Sequence, residues 1–372
     1  MNKRITGLVV VILCIGLLSG SQAIASQALD ELVEAARKEG GFDVMMPSVG
    51  EKGSRDIIAA FNKRFGLNIR VRGDLAGQES QKFNQAVTET KAGVPPTFDL
   101  MQGEASNVLN LKDAGGAEQI ANWRSLMAEI APEAHKMADK ISPSVLGGYG
   151  FLWSTRTVAL LYNPKVISEK ELPSTWKEMG DPKYKGVFSV PPWISVALMG
   201  ALAYDRAEWL EIVKSWGRNK RQVLTYSAGV ERMLLGDIKF LYGNAGYFFE
   251  HKAKDPNAPI AINFFEDLTT MRQVLYVTRK GARNPNGAKL FAIWSSGAEF
   301  SDIVQKYSPD VENLVLGRGA TTQRILGTFK GENINPVSWF DGPKELEKFL
   351  WFETKEGKEY ARAIARAQRE GK

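Results

Sequence analysis

The chain has 372 residues, with 48 Lys and Arg against 42 Asp and Glu, two histidines, one cysteine and a net charge of +6. The basic residues are dispersed and form no run, which argues against nucleic acid, and the length exceeds what one core usually serves, so two domains are expected. Cys14 is the only cysteine, which excludes disulfides.

Lys3 and Arg4 precede an apolar run over residues 8–18, and Ala23, Ile24 and Ala25 follow it. This pattern reads as a secretory signal peptide over residues 1–25, cleaved on export to the periplasm. Leu13 stands where a lipoprotein signal wants a small residue before its cysteine, which argues against a lipid anchor. Loss of the leader removes Cys14, and with it thiolate metal sites and thiol nucleophiles. No later stretch approaches the roughly 20 apolar residues of a spanning helix, so the mature protein is expected to be soluble.

Leu29, Leu32, Val33 and Ala36 repeat at helical spacing, and Gly40-Gly41 ends that helix before an apolar strand over 42–46. A second helix carries Ile57, Ile58, Phe61 and Phe65, then Ile69 and Val71 alternate as in a strand. Further strands are expected at 98–101, 158–162, 187–190, 223–226, 240–242 and 274–277, with amphipathic helices between most of them. From Pro343 onward, helices carrying Leu346, Phe349, Leu350 and Phe352 should pack on a domain surface and end in a charged, solvated tail.

Strands that alternate with helices predict an α/β protein with parallel sheets covered on both faces. In such sheets, ligands collect at the carboxyl ends of strands, where helices begin. The loops at those places are PSVGEKGS (47–54), QGEAS (102–106), PPW (191–193), SAG (227–229) and the aromatic stretch YGNAGYFFEH (242–251). They combine small residues, a few polar groups and an aromatic wall.

The stretch RTVALLYNPKVISEKELPSTWKEMGDPKYKGVFSV (156–190) resembles the family 1 extracellular solute-binding proteins of bacterial ABC importers, nearest to their ferric-iron-binding branch. The resemblance is carried by Tyr162-Asn163, Pro173, Thr175-Trp176, Asp181-Pro182-Lys183 and Lys185-Gly186. FDLMQGEASNVLNLKDAGGAE (98–118) is similar to the family's Asp-led strand, loop and helix, and KGARNPNGAKLFAIWSSGAEF (280–300) to its Asn-Pro segment opening a helix. The resemblance implies a two-lobed type II periplasmic binding protein fold, with hinge strands crossing between lobes and a solute in the cleft. The expected division is 26–155 with 265–320 as one lobe and 156–264 with 321–372 as the other. The partners implied are an inner-membrane ABC permease with its ATPase, and the protein itself is expected to be a monomer without a cofactor.

In the iron-binding branch two adjacent tyrosines follow an Asn and ligate ferric iron. Alignment on Asn244 places Gly246 at the first tyrosine and Tyr247 at the second, so one phenolate is missing. Tyr242 and Tyr226 are the substitutes if iron is bound; His135 and His251, the only histidines, read as helix-surface residues. The first expectation is therefore an anionic solute. Asn244 and Tyr247 would donate hydrogen bonds, with bare backbone at Gly243 and Gly246 making room. Arg156 would pair with the anion or else form an interlobe ion pair. Ser227 and the N–H groups of Ala228 and Gly229 would seat it at a helix start. Trp193 would stack on the solute, and Ser48 and Glu104 would face it from the other lobe. A polyamine is the third option, lined by Glu51, Glu104 and Trp153.

The stretch TYSAG (225–229) approaches a nucleophile elbow, with Ser227, Asp237 and His251 in a hydrolase-like order. These three are squeezed into too short a span for an acid and a base from separate loops, and Thr225 replaces the first glycine. No zinc-protease spacing or phosphate loop occurs, so no enzyme activity is expected.

Overall fold

The computed structural model describes residues 27–75 and 79–370. The signal segment with Cys14 lies outside the described residues. In chain order the first elements are α1 (27–39), β1 (Gly41–Met46), α2 (Gly50–Phe65), β2 (Arg70–Leu75), α3 (Glu79–Ala92), β3 (Leu100–Glu104), α4 (Ala105–Asp113) and α5 (Trp123–Ile130). The one-turn helices α6 (Pro132–His135) and α7 (Ala138–Ile141) lead to the long strand β4 (Gly150–Tyr162). Then come β5 (Phe188–Val190), α8 (Ile194–Leu198), α9 (Arg206–Arg218), β6 (Gln222–Val223), α10 (Tyr226–Leu234), β7 (Phe240–Asn244), α11 (Gly246–Lys254) and β8 (Ala261–Asn263). The chain closes with β9 (Met271–Thr278), α12 (Pro285–Trp294), α13 (Ala298–Tyr307), α14 (Ala320–Glu332), α15 (Pro343–Trp351) and α16 (Lys355–Glu370).

The chain divides into two compact units. Unit 1 runs to Trp153 and includes Val274–Tyr307, and unit 2 comprises Ser154–Gln273 and Ser308–Lys372. Two of the borders fall inside β4 and β9, so these strands carry the chain from one unit into the other. Residues 265–273 and 308–320, grouped by sequence with the first lobe, fold with unit 2.

In unit 1, β1 lies between β2 and β3, parallel to both, and β3 pairs antiparallel with β9. In unit 2, β5 is parallel to β6 and β7, while β4 pairs antiparallel with β7 and β8. The sheets are mixed, where the alternation of helices and strands suggested parallel ones. The strands in which the chain passes from one unit to the other, β4 and β9, make the antiparallel pairings with β7, β8 and β3.

The helix α2 shows how local sequence sets the layers of unit 1. Ile57 and Phe61, four apart, are buried on one face, and Gly66 stops the helix in the left-handed region at φ 59°, its N–H closing on Asn62 and Lys63 carbonyls. Phe61 meets Phe42, Phe291 and Trp294 with ring centroids 5.2 to 6.0 Å apart. Asp99 ties the strand β3 to α12: its carboxylate accepts from the backbone N–H of Asp43 at 2.9 Å, Arg283 at 2.8 Å and Asn284 at 3.2 Å. The Asp-led strand and the Asn-Pro segment are thus two ends of one buried bonding centre.

Trp176 has the same part in unit 2. Its ring is fully buried against Tyr242, Phe265, Trp209 and Trp216, and its Nε1–H donates to the Leu268 carbonyl at 2.7 Å. Asn163 ends β4 by accepting from Lys165 N–H at 3.0 Å and donating to the Met233 carbonyl at 3.3 Å.

Three local expectations shift. The first concerns residues 223–226: β6 is only two residues long and Tyr226 opens α10, because Thr225 caps that helix through its side chain. The second is at 98–101, where the strand lies at Leu100–Glu104 and the Asp99 side chain is used for anchoring. The third is the C-terminal tail. Among the described residues α16 is docked on unit 2, with Ile364 and Ala367 in its core, and Leu350 rather than Phe349 or Phe352 is the exposed apolar side chain.

The segment 308–314 packs on β4 and the start of α11 within unit 2. Thr155 N–H donates to the Glu312 carbonyl at 2.8 Å and Leu314 N–H to the Thr155 hydroxyl at 3.0 Å. The Thr157 hydroxyl donates to Glu312 Oε1, and a Cβ at Gly246 would collide with the Asp310 carbonyl oxygen. Glu312 is 0% exposed, and burial pushes its carboxyl up to about 7, with the Thr157 bond and Arg156 opposing.

Replacing Asp99 by Ala leaves three backbone donors without their acceptor and should cost about 3 kcal/mol, read as a lower urea midpoint. For Glu312, the folded carboxyl holds its proton where the unfolded one, near 4.5, has lost it. Its contribution to stability is therefore present at acid pH and is lost as pH rises to about 7, by roughly 3 kcal/mol in all. Glu312→Gln should abolish that slope and be more stable than wild type at alkaline pH, measured by denaturation across the pH range.

Candidate functional site

The residues singled out in unit 2 gather where α10 and α11 begin. Thr225, extended at φ −60° and ψ 158°, accepts from Ala228 N–H through its hydroxyl and from Gly229 N–H through its carbonyl, at 3.4 and 2.8 Å. The two amides expected to seat an anion are thus used inside the helix. The first amides of α10, on Tyr226 and Ser227, are those with no carbonyl one turn back.

Ser227 and Tyr247 come together across the two helices, Ser227 Oγ lying 3.3 Å from the Tyr247 phenol oxygen. The Tyr247 ring is 5.9 Å from Tyr226, and Tyr226 is 4.7 Å from Trp193. Trp193 remains 40% exposed, so the three rings form an aromatic ledge with an open indole at one end and paired hydroxyls at the other. Such a surface suits a solute with an apolar face and a polar edge.

The phenol of Tyr247 is held above its ordinary value, chiefly by burial and then by Asp310 and Glu250, against Ser227 and Arg156. It is a neutral hydrogen-bonding group at physiological pH. Arg156, half-buried on β4, donates to Ser154 Oγ at 2.7 Å and to the Thr155 carbonyl at 3.3 Å. Asp310 and Glu312, two of the charges that bear on it, belong to its own unit.

Asn244 is only 4% exposed and its side-chain oxygen accepts from Gly246 N–H at 2.9 Å, starting α11. It therefore shapes the turn and has only its amide hydrogens left to donate. Gly246 is required by the Asp310 carbonyl rather than by room for a solute, and Gly243 lies within β7.

Tyr242 sits in the core on Trp176, with ring centroids 4.8 Å apart, and so is no iron ligand; Tyr226 is largely buried as well. His251 Nδ1 lies 2.9 Å from the Tyr247 carbonyl, a contact within one helix. Asp237 pairs with Arg232 at 3.0 Å. Ser227 and His251 contact different atoms of Tyr247 and Asp237 pairs with Arg232, so the three form no relay. Among the described residues no group of three or more His, Cys, Asp or Glu could hold a metal ion.

In unit 1, Ser48 is exposed just after β1, and Glu104 ends β3 as the residue before α4. These strands are parallel neighbours, so both residues stand at the carboxyl end of the unit 1 sheet. Glu51 is exposed on α2 beside Arg55, whereas Trp153 is buried between Tyr276 and Phe300 and offers no lining for a polyamine. Sequence reasoning missed Thr157, Glu250, Asp310 and Glu312. No periodicity marks the segment of the last two, and only the fold brings it to Arg156.

The sequence profile described as bacterial extracellular solute-binding protein matches residues 56–305, about two thirds of the chain. A comparison with curated proteins finds no match. Among solved structures, iron-bound HitA from Pseudomonas aeruginosa is 19% identical over 87% of this chain and 99% of its own, with a TM-score of 0.63. FutA from Trichodesmium, in complex with iron and citrate, is 18% identical over 90% of this chain and all of its own (100%), with a TM-score of 0.64. AfuA from Actinobacillus pleuropneumoniae, with fructose-6-phosphate bound, is 17% identical over 73% and 83%, with a TM-score of 0.57. These likenesses give the two-lobed periplasmic binding protein fold, and among the described residues no helix is long and apolar enough to cross a membrane. By the extent of the profile match, this chain belongs to the bacterial extracellular solute-binding proteins.

Proposed function

We propose that the protein is the periplasmic solute-binding component of an ABC importer, which holds a small anionic solute and delivers it, as a monomer, to a membrane permease driven by a separate ATPase. The observation that carries the solute class is the meeting of the Ser227 hydroxyl and the Tyr247 phenol at the start of α10, beside the Trp193–Tyr226 ledge. Helix starts favour negative charge, hydroxyls donate to it, and Arg156 adds a cation close enough to act on Tyr247. Ser48 and Glu104 are the proposed contribution of unit 1. No bond chemistry is required of any of them.

The neighbours' solutes include an organic phosphate, and citrate alongside iron, which fits an anion. An iron site of the expected kind would have to be built on Tyr247 with Tyr242 in the core, and one phenol is too few ligands for a hard trivalent ion.

Thermal unfolding with phosphate esters, carboxylates, sugars, polyamines and ferric salts tests the class. A phosphate ester or carboxylate should raise the midpoint, with roughly 2.7 kcal/mol gained at a hundredfold excess over Kd. A shift with polyamines or ferric salt alone would refute the proposal. For the solute found, Tyr247→Phe and Ser227→Ala should each weaken binding roughly tenfold, about 1.4 kcal/mol, and Trp193→Ala at least as much. Unchanged affinity in all three would place the site elsewhere.

A further inference from the structure

Unit 2 also holds a group that the proposed binding site does not use. Glu312 is fully buried, its Oε1 is bonded by Thr157, and its Oε2 has no hydrogen-bond partner. A buried carboxylate oxygen without a donor is costly as an anion and far less so as an acid. Yet hydrogen bonds link the carboxyl to the segment that carries the site: Thr157, which bonds it, also accepts from Ala245 N–H at 2.9 Å through its carbonyl, and Ala245 lies two residues before Tyr247.

Two charges bear on it most. From β4 comes Arg156, and from its own segment Asp310. Asp310 is in turn faced by Arg156, Glu250 and Lys254, and Tyr247 by Asp310, Glu250 and Arg156. One guanidinium on β4 thus serves a buried acid, a partly buried one and a phenol. An anion arriving at Ser227 and Tyr247 competes for the same guanidinium, and the field it adds makes a charged Glu312 still less favourable.

We propose that Glu312 is a specificity-determining residue, which takes up a proton from solvent onto Oε2 as the anion binds, so that the solute is accepted as anion plus proton. The inference rests on the anionic reading above and adds to it a coupling between solute charge and one buried acid. By linkage, the anion then binds more tightly as pH falls, and a neutral solute of the same shape shows no such dependence.

The test is calorimetric titration of the full chain with inorganic sulfate and galactose 6-sulfate, whose charge is constant near neutral pH, in buffers of different ionisation heat. Wild type should take up a substantial fraction of a proton per anion near neutrality, and its affinity should weaken roughly three- to tenfold per pH unit on the alkaline side. Glu312→Gln, which keeps an acceptor for Thr157, should show no uptake and less than about a twofold change. Thr157→Val, which removes the donor that favours the charged form, should move the midpoint of the pH dependence upward and gives an independent check. Binding without proton uptake, or equal uptake in Glu312→Gln, overturns the coupling and leaves the anionic site standing. Where neither sulfate binds, the phosphate ester or carboxylate found by the thermal screen is titrated in the same way, and absence of binding by all of them overturns the anionic reading and this inference with it.

Discussion

The bond between the Thr157 hydroxyl and the buried carboxyl of Glu312, with the bonds of Thr155 to the Glu312 carbonyl and the Leu314 N–H, fixes where the segment 308–314 crosses β4. That position sets the Asp310 carbonyl against Gly246, which has no Cβ to obstruct it, and so fixes where α11 can begin. Tyr247 is the next residue, and its phenol reaches Ser227 only because α11 starts there. These polar contacts, together with the Asn244 bond to Gly246 N–H, thereby position the hydroxyl pair, and Arg156 lies beside acids of its own unit. Burial of that carboxyl has an electrostatic cost, raising it to about 7, which the Thr157 bond offsets only in part.

Most residues that carry the family likeness anchor structure. Asp99 gathers three backbone N–H groups, Trp176 fills the centre of unit 2, and Asn163 closes β4. They are polar or aromatic residues at the ends of elements, where one side chain can satisfy several groups that no ladder reaches. This separation explains why the likeness gives fold and broad role and not the solute: the proposed site residues Trp193, Ser227 and Tyr247 lie outside those motifs.

The α/β class, the order of most elements and the helix-start location of Ser227 and Tyr247 were legible because periodicity and turn residues are local signals. Tyr226 was misread because a hydroxyl cap at Thr225 outweighed the β-propensity of its neighbours. The amides of Ala228 and Gly229 were assigned to a ligand without counting the cap that consumes them. Tyr242 and Trp153 look like site residues in a string of letters, since burial of an aromatic depends on contacts far along the chain. Asp310 and Glu312 were invisible for the same reason: they meet Arg156 and Thr157 across more than a hundred and fifty residues, as the Thr157–Glu312 separation of 155 shows.

The central claim is that unit 2 holds an anionic solute at the start of α10 and α11. A crystal structure of the protein saturated with the solute found by the thermal screen tests it most directly. The account predicts electron density for an anionic group bonded to Ser227 Oγ and the Tyr247 hydroxyl, with the solute body against Trp193. Density elsewhere, with the Ser227–Tyr247 pair intact and Trp193 uncovered, would contradict it.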